Sequence, residues 1–232
     1  MLEYEGELVL YYSDQREFGR NNTVGQAMVH QTTTDLLSWG PIVDDVRYDD
    51  PTYRPGMPIV SELPDGNWIL TYEYGVGAPE GSFTVYYKIS DSPLTFGPVT
   101  GVPMLLQNSD LIPNGSPYNV WTPAGGPNGT IVATDGNHTP LFLNKALGAQ
   151  DAWYEMETPA GESYTRALMV MPNDPSVVMI FVGGVLGGED NMVLATTVKI
   201  ADDDEESCGK KLGHHKGKKC WGKGKGKGRG HH

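Results

Sequence analysis

Punctuation constrains this chain more than any other feature. Short runs of β-branched and aromatic residues are cut repeatedly by turns rich in glycine, proline and asparagine, and helix-period stretches are nearly absent. Such a chain folds as many short antiparallel strands. Residues 54–75, RPGMPIVSELPDGNWILTYEYG, are the clearest unit. Met57, Ile59 and Leu63 fall on alternate positions and give one apolar side. Pro64-Asp65-Gly66 supplies a turn, because proline presets one φ and Asp-Gly tolerates positive φ. Trp68, Ile69, Leu70, Thr71, Tyr72 and Tyr74 then form a β-rich run with Glu73 inside it. A carboxylate among such neighbours is costly to bury unless paired, or else faces solvent on the alternate side.

The unit recurs. Gly6-Glu7-Leu8, Gly66-Asn67-Trp68 and Gly129-Thr130-Ile131 each open the second strand of a unit, 60 and 63 residues apart, and Ser176-Val177 follows 47 later. Further strands are expected at residues 6–13, 26–34, 82–90, 116–122, 130–134, 139–144, 164–171, 177–182 and 192–200, with an acidic loop over 41–53. Repeated units of three to four antiparallel strands suggest propeller blades, with a β-sandwich as the alternative.

Charge divides the chain. Residues 202–232 hold nine of the 17 Lys/Arg and five of the 29 Asp/Glu, which leaves 1–201 with 8 basic against 24 acidic side chains. So acidic a body repels nucleic acid and is compatible with neutral carbohydrate. The acid run 202–206 and the Gly/Lys/His stretch after it cannot bury a core and are expected to be a disordered tail. Two domains follow: a body over 1–201 and the tail over 202–232. Both cysteines, Cys208 and Cys220, lie in the tail; with His214 and His215 their spacing fits no common zinc pattern, so no metal and no cofactor are expected. No run approaches 18 apolar residues, so no membrane partner is expected, and residues 1–5 do not read as a signal peptide. N-x-S/T sequons stand at Asn21, Asn114, Asn128 and Asn137.

Residues 34–39 (TDLLSW) and 90–96 (SDSPLTF) resemble degenerate Asp-box turns, in which an aspartate caps the turn between outer strands and an aromatic ring packs beneath. Residues 8–16 (LVLYYSDQR), 30–45 (HQTTTDLLSWGPIVDD), 54–75 and 115–129 (GSPYNVWTPAGGPNG) are similar to fungal glycoside hydrolase family 93. The resemblance covers roughly 2–200. It implies an exo-acting α-1,5-L-arabinanase on a six-bladed, sialidase-like propeller. About four blades are present, so the chain is expected to be the C-terminal part of a longer secreted enzyme, monomeric and extracellular when whole, acting on arabinan without a cofactor.

The resemblance also implies roles. Glu73 matches the family's catalytic glutamate, one of the carboxylate pair of a retaining hydrolase, with the other upstream of Met1 and this chain alone inactive. Tyr164 resembles the axial tyrosine that donates to the nucleophile. Arg54 and Arg166, both at strand starts, are expected to hold sugar hydroxyls or a carboxylate, with Asp14, Tyr118, Trp121 and Asp135 as further sugar ligands. Residue by residue the plainer readings are an ion pair of Arg54 with Asp49 or Asp50, Trp121 as core packing, and Tyr164 as an ordinary strand tyrosine. Two other functions compete: a non-catalytic propeller that binds glycans or proteins, and a sialidase, which requires three convergent arginines.

Overall fold

The computed structural model describes residues 1–16, 25–185, 187 and 192–201. The expected tail, with Cys208, His214, His215 and Cys220, and the sequon at Asn21 lie outside the described residues. These fold into fifteen strands in four antiparallel sheets. Sheet one is β1 (Leu2–Tyr4), β2 (Glu7–Asp14), β3 (Ala27–Thr33) and β4 (Val43–Val46). Sheet two is β5 (Gly56–Glu62), β6 (Trp68–Glu73), β7 (Val85–Ser90) and β8 (Val102–Pro103). Sheet three is β9 (Tyr118–Thr122), β10 (Thr130–Thr134), β11 (Leu141–Asn144) and β12 (Trp153–Met156), and sheet four is β13 (Arg166–Met171), β14 (Asp174–Val182) and β15 (Leu194–Lys199). Every sheet pairs its strands in chain order, as short turns dictate. A single 3₁₀ turn, Pro51–Tyr53, precedes β5, and no described helix is long and apolar enough to cross a membrane.

Turn chemistry explains the hairpins. Glu5 and Gly6 both take positive φ, at 50° and 85°, and close β1 onto β2. Between β5 and β6, Gly66 sits at φ 85°, Leu63 N–H donates to Asn67 O and the Asp65 carboxylate caps Asn67 N–H, so Glu62 pairs with Trp68. The alternation expected along β5 is broken: Met57 has φ 57° in a bulge between Gly56 and Ile59. In the turn after β3, Asp35 Oδ1 accepts the N–H groups of Leu37 and Ser38, and Asn144 Oδ1 does the same for Ala146 and Gly148 after β11. Phe96 is fully buried beneath the turn after β7, whereas Trp39, expected in the equivalent place, is 37% exposed.

Three apolar clusters lie between successive sheets. Met28 and Val46 of sheet one meet Trp68, Leu70, Tyr72 and Tyr86 of sheet two. Ile69, Val85 and Tyr87 meet Ile131, Ala133, Phe142 and Trp153 of sheet three. Val132, Leu141 and Leu143 meet Leu168, Val178 and Ile180 of sheet four. Alternate residues of β6 and β10 therefore bury on opposite faces, so the middle sheets are covered on both sides. Two packed sheets cannot do this, which removes the sandwich alternative. The strands β5, β9 and β13 lie side by side along one edge. Asn119 on β9 locks sheet three to sheet two: its Nδ2 donates to Ile59 O and to Thr71 Oγ1, while its backbone carbonyl accepts from Ser61. Sheets set in series around their first strands are the arrangement of a propeller.

Some strands differ from expectation. The stretch 41–53 contains β4, whose Asp45 is buried against His30 at 2.8 Å. Lys88 of β7 reaches into the same place and donates to Asp45 O (2.6 Å) and Phe96 O (3.0 Å), fastening sheet two to sheet one. Burial raises the Asp45 pKa, against the pull of His30, and lowers that of Lys88 to about 8.

Candidate active site

Within their sheets Gly56 pairs with Glu73, Thr134 with Tyr118 and Arg166 with Val182, and residues at or beside these strand ends, Glu73, Ser116, Gly136 and Tyr164, come together at one end of the sheets. At that end a cavity of about 390 Å³ opens, lined by Glu73, Phe83, Asn114, Gly115, Ser116, Gly136, Asn137, Glu162, Tyr164 and Val185. Its size is that of a small-ligand site.

Glu73 ends β6 and is partly buried. Its Oε2 accepts the Ser116 N–H at 3.0 Å. Oε1 lies 3.2 Å from where a Cβ on Gly56 would stand, so glycine leaves it room. Burial raises the carboxyl pKa; the Ser116 hydrogen bond and the positive charge of Arg54 pull it back down. The result is a carboxylate tuned upward yet equipped to ionise, a pattern common in acid–base and nucleophilic sites.

The far wall is built from Asp135. This residue is completely buried just past β10 and accepts from Asn114 N–H (2.7 Å), His138 N–H (3.0 Å) and His138 Nδ1 (2.5 Å). It thereby fixes two loops whose asparagines join at the rim, Asn137 Nδ2 donating to Asn114 Oδ1. Asp135 raises the pKa of His138, and burial opposes it. Expected as a sugar ligand, Asp135 instead supports the residues that face the cavity.

Other expected site residues separate into two groups. Glu73 and Tyr164 line the cavity together. Tyr164 stands before β13 rather than in it and is 46% exposed; the Glu73 carboxylate is held by Ser116, not by the tyrosine hydroxyl. Arg54 is exposed at φ 51° beside the 3₁₀ turn, where Asp50 caps Thr52, and its charge reaches Glu73. Arg166 points inward: it is fully buried and its guanidinium donates to the carbonyls of His138, Pro140 and Thr139 and to Thr158 Oγ1. Asp14 pairs with Arg16 at 2.8 Å, which lowers its pKa, and lines a different hollow with Tyr12, Gln31 and Trp39. Tyr118 packs on the cluster between sheets three and four. Trp121 packs on the cluster between sheets two and three, and its Nε1–H donates to Asn128 O. Its position along β9 is three residues beyond Tyr118, about 10 Å from the cavity end of the strand. There its ring is partly buried against that cluster.

Phe83, Asn114, Ser116, Asn137, Glu162 and Val185 are lining residues that were not expected at the site; Phe83 and Ser116 fell inside the expected strands 82–90 and 116–122 but lie in the loops before β7 and β9. Two of them had a signal, since Asn114 and Asn137 are sequons, but that signal speaks of glycosylation. Two carboxylates and no arginine or lysine line the cavity, and Arg166 is spent on carbonyls, so the convergent arginines of the sialidase alternative do not form among the described residues. Those residues also hold no group of three His, Cys, Asp or Glu side chains suited to a metal ion.

No family model and no curated protein sequence matches the chain. Solved structures do. A Penicillium chrysogenum α-L-arabinanase complexed with arabinobiose is 42% identical, with a TM-score of 0.79 over 86% of this chain and 56% of that one. A Fusarium graminearum GH93 α-L-arabinofuranosidase, also with arabinobiose, is 43% identical, with a TM-score of 0.78 over 85% of this chain and 56% of that one. A family 117 glycoside hydrolase from Zobellia galactanivorans shares the fold at 12% identity, with a TM-score of 0.56 over 86% of this chain and 67% of that one. The chain thus spans a little over half the length of the two arabinan-related enzymes. In sequence and in fold alike, the described chain is a relative of the family 93 glycoside hydrolases.

Proposed function

We propose that this fold serves the hydrolysis of α-1,5-linked arabinan from a chain end, with Glu73 as one of the two working carboxylates. One observation carries the reading. The single carboxylate that ends an inner hairpin, raised in pKa by burial and tied by a backbone N–H, opens on a sugar-sized cavity in a chain 42% identical to an enzyme that holds arabinobiose. Retaining hydrolysis needs a nucleophile, which bonds to the anomeric carbon as the glycosidic C–O bond breaks, and an acid that protonates the leaving oxygen. Glu73 takes the nucleophile's part. Asn114, Asn137 and Glu162 offer donors and acceptors to the sugar hydroxyls, and Arg54 helps Glu73 to ionise.

The partner carboxylate is assigned to the part of such enzymes that this chain does not span. Catalysis by the chain alone is accordingly expected to be slower by about two to four orders of magnitude, the usual worth of acid–base help. The whole enzyme is taken to work outside the cell as a monomer, where arabinan is met. Release of arabinobiose from linear arabinan tests the assignment in the longer protein. Glu73→Gln is expected to abolish release while arabinobiose still binds, and Glu162→Gln, which keeps a hydrogen-bonding side chain, is expected to retain release. Unchanged hydrolysis in Glu73→Gln would overturn the role of Glu73. Binding without any hydrolysis in the unsubstituted longer protein favours the glycan-binding alternative.

A further inference from the structure

We propose that Phe83 is the apolar platform of this cavity, the surface on which the C–H face of a neutral pentose unit stacks. The inference rests on the reading of the cavity as a sugar site and names one of its contacts.

The backbone argues first. Thr84 N–H donates to Gly81 O, closing a turn over residues 81–84, and Phe83, its third residue, sits at φ 64°. Glycine or asparagine ordinarily fills such a place, and a bulky aromatic there is a strained exception. The strain is held by a firm frame. Phe83 N–H donates to Gly75 O at 2.7 Å, Gly115 N–H donates to Phe83 O at 2.8 Å, and Asn114 Nδ2 donates to Ser82 O. The residue is thereby fixed from both sides, by the loop after β6 and the loop that delivers Ser116.

The ring argues second. It belongs to none of the apolar clusters and is 41% exposed, yet it lines the cavity with Glu73. The neighbouring tyrosines behave differently. Tyr74 stacks on Tyr48 at 4.3 Å and packs on Tyr86 at 4.7 Å, and Tyr72 is buried, so the aromatic residues that hold the loop are elsewhere. Phe83 occupies a strained backbone position without the burial that would offset it, and strain of that sort gathers at ligand-binding sites. A sugar has an apolar face of C–H bonds and a polar rim of hydroxyls. A fixed phenyl ring faces the first, while Glu73, Glu162 and the two asparagines suit the second.

The test uses the full chain labelled with ¹³C-phenylalanine and titrated with arabinobiose; the chain has five phenylalanines, so their signals separate readily. Saturating sugar is expected to shift the Phe83 signal and leave those of buried Phe96 and Phe142 in place. Phe83→Gly is expected to weaken arabinobiose at least tenfold with an unchanged or higher Tm, since glycine accepts φ 64° freely, and Phe83→Tyr is expected to restore binding. Equal affinity in Phe83→Gly, or loss of binding together with a large fall in Tm, overturns the platform. A wild-type chain that takes up no arabinobiose overturns the sugar-site reading itself, and this inference with it.

Discussion

Replacing Arg166 with methionine separates two meanings of a buried arginine at a strand start. The guanidinium donates to His138 O and Pro140 O at 2.8 Å, to Thr139 O at 2.5 Å and to Thr158 Oγ1 at 3.3 Å, all from a fully buried position. Burial lowers its pKa, and the charge of buried Asp135 opposes that. Methionine keeps the apolar stem and removes every donor. Three carbonyls are then left in a space closed to water, each costing about 1–3 kcal/mol if unpaired, with relaxation recovering part. A net loss of about 4 kcal/mol is expected, in the range for breaking a buried charged network. For a chain of this size that is a fall in Tm of roughly 8–16 °C. Arg166→Lys keeps the charge but not the planar fork, and is expected to lose about half as much. Urea unfolding followed by circular dichroism reads the difference as a lower midpoint at constant slope. Should Arg166→Met cost under about 1 kcal/mol and instead abolish arabinobiose binding, the clamp is wrong and the arginine is a sugar ligand.

Lys88 gives a pH prediction. Its folded pKa of about 8 lies below the ordinary 10.5, so the unfolded chain binds more protons between those values and stability rises from pH 8 to 10, by on the order of 2 kcal/mol. Above pH 10 the raised pKa values of Tyr11, Tyr48, Tyr72 and Tyr86 act the other way, and Lys88→Met flattens the rise in a denaturant series. His138 titrates in the opposite sense. Its pKa is raised by Asp135, so that stabilisation is complete below pH 6.5 and fades as pH climbs through the raised value; Asp135→Asn removes the slope. Gly75→Ala places a Cβ 1.8 Å from Tyr53 O at φ 88°, and is expected to cost about 3 kcal/mol or more by thermal unfolding. Glu73→Gln removes a carboxylate whose charge burial disfavours, so its Tm at pH 7 is expected to match or exceed that of the wild type.

Sequence and structure agree where local chemistry decides and part where distant loops meet. The hairpin of β5 and β6 was legible because Pro64-Asp65-Gly66 dictates the turn and period two runs through Trp68, Leu70 and Tyr72. Glu73 was legible as an anomaly in that run. The outer strands β4, β8 and β12 were not, being two to four residues long and formed by pairing to inner neighbours rather than by propensity. Arg54 and Arg166 look alike in sequence, each at a strand start. Their fates differ because carbonyls of residues 138–140 surround one, while a left-handed residue beside a 3₁₀ turn leaves the other in water. No local pattern carries that distinction.

The same reasoning explains the cavity wall. Ser116 contributes its backbone N–H to Glu73, and any residue type supplies one; what places it is the pair of positive φ values at Gly115 (74°) and Ser116 (30°). Gly136 completes the fit, since a Cβ there would stand 2.9 Å from Tyr164 O and 3.4 Å from the Ser116 Cβ. Loops 114–116, 135–138 and 162–164 therefore close on one another only because a glycine sits where they touch. A side chain at 136 would push Ser116 away from Glu73, releasing the carboxylate from its one backbone donor and raising its pKa further. Gly136→Ala is thus expected to act on Glu73 at a distance, moving its titration upward in a carboxyl-detected NMR series while β6 keeps its register. A titration left where the wild type has it would show that the Ser116 contact does not depend on the glycine.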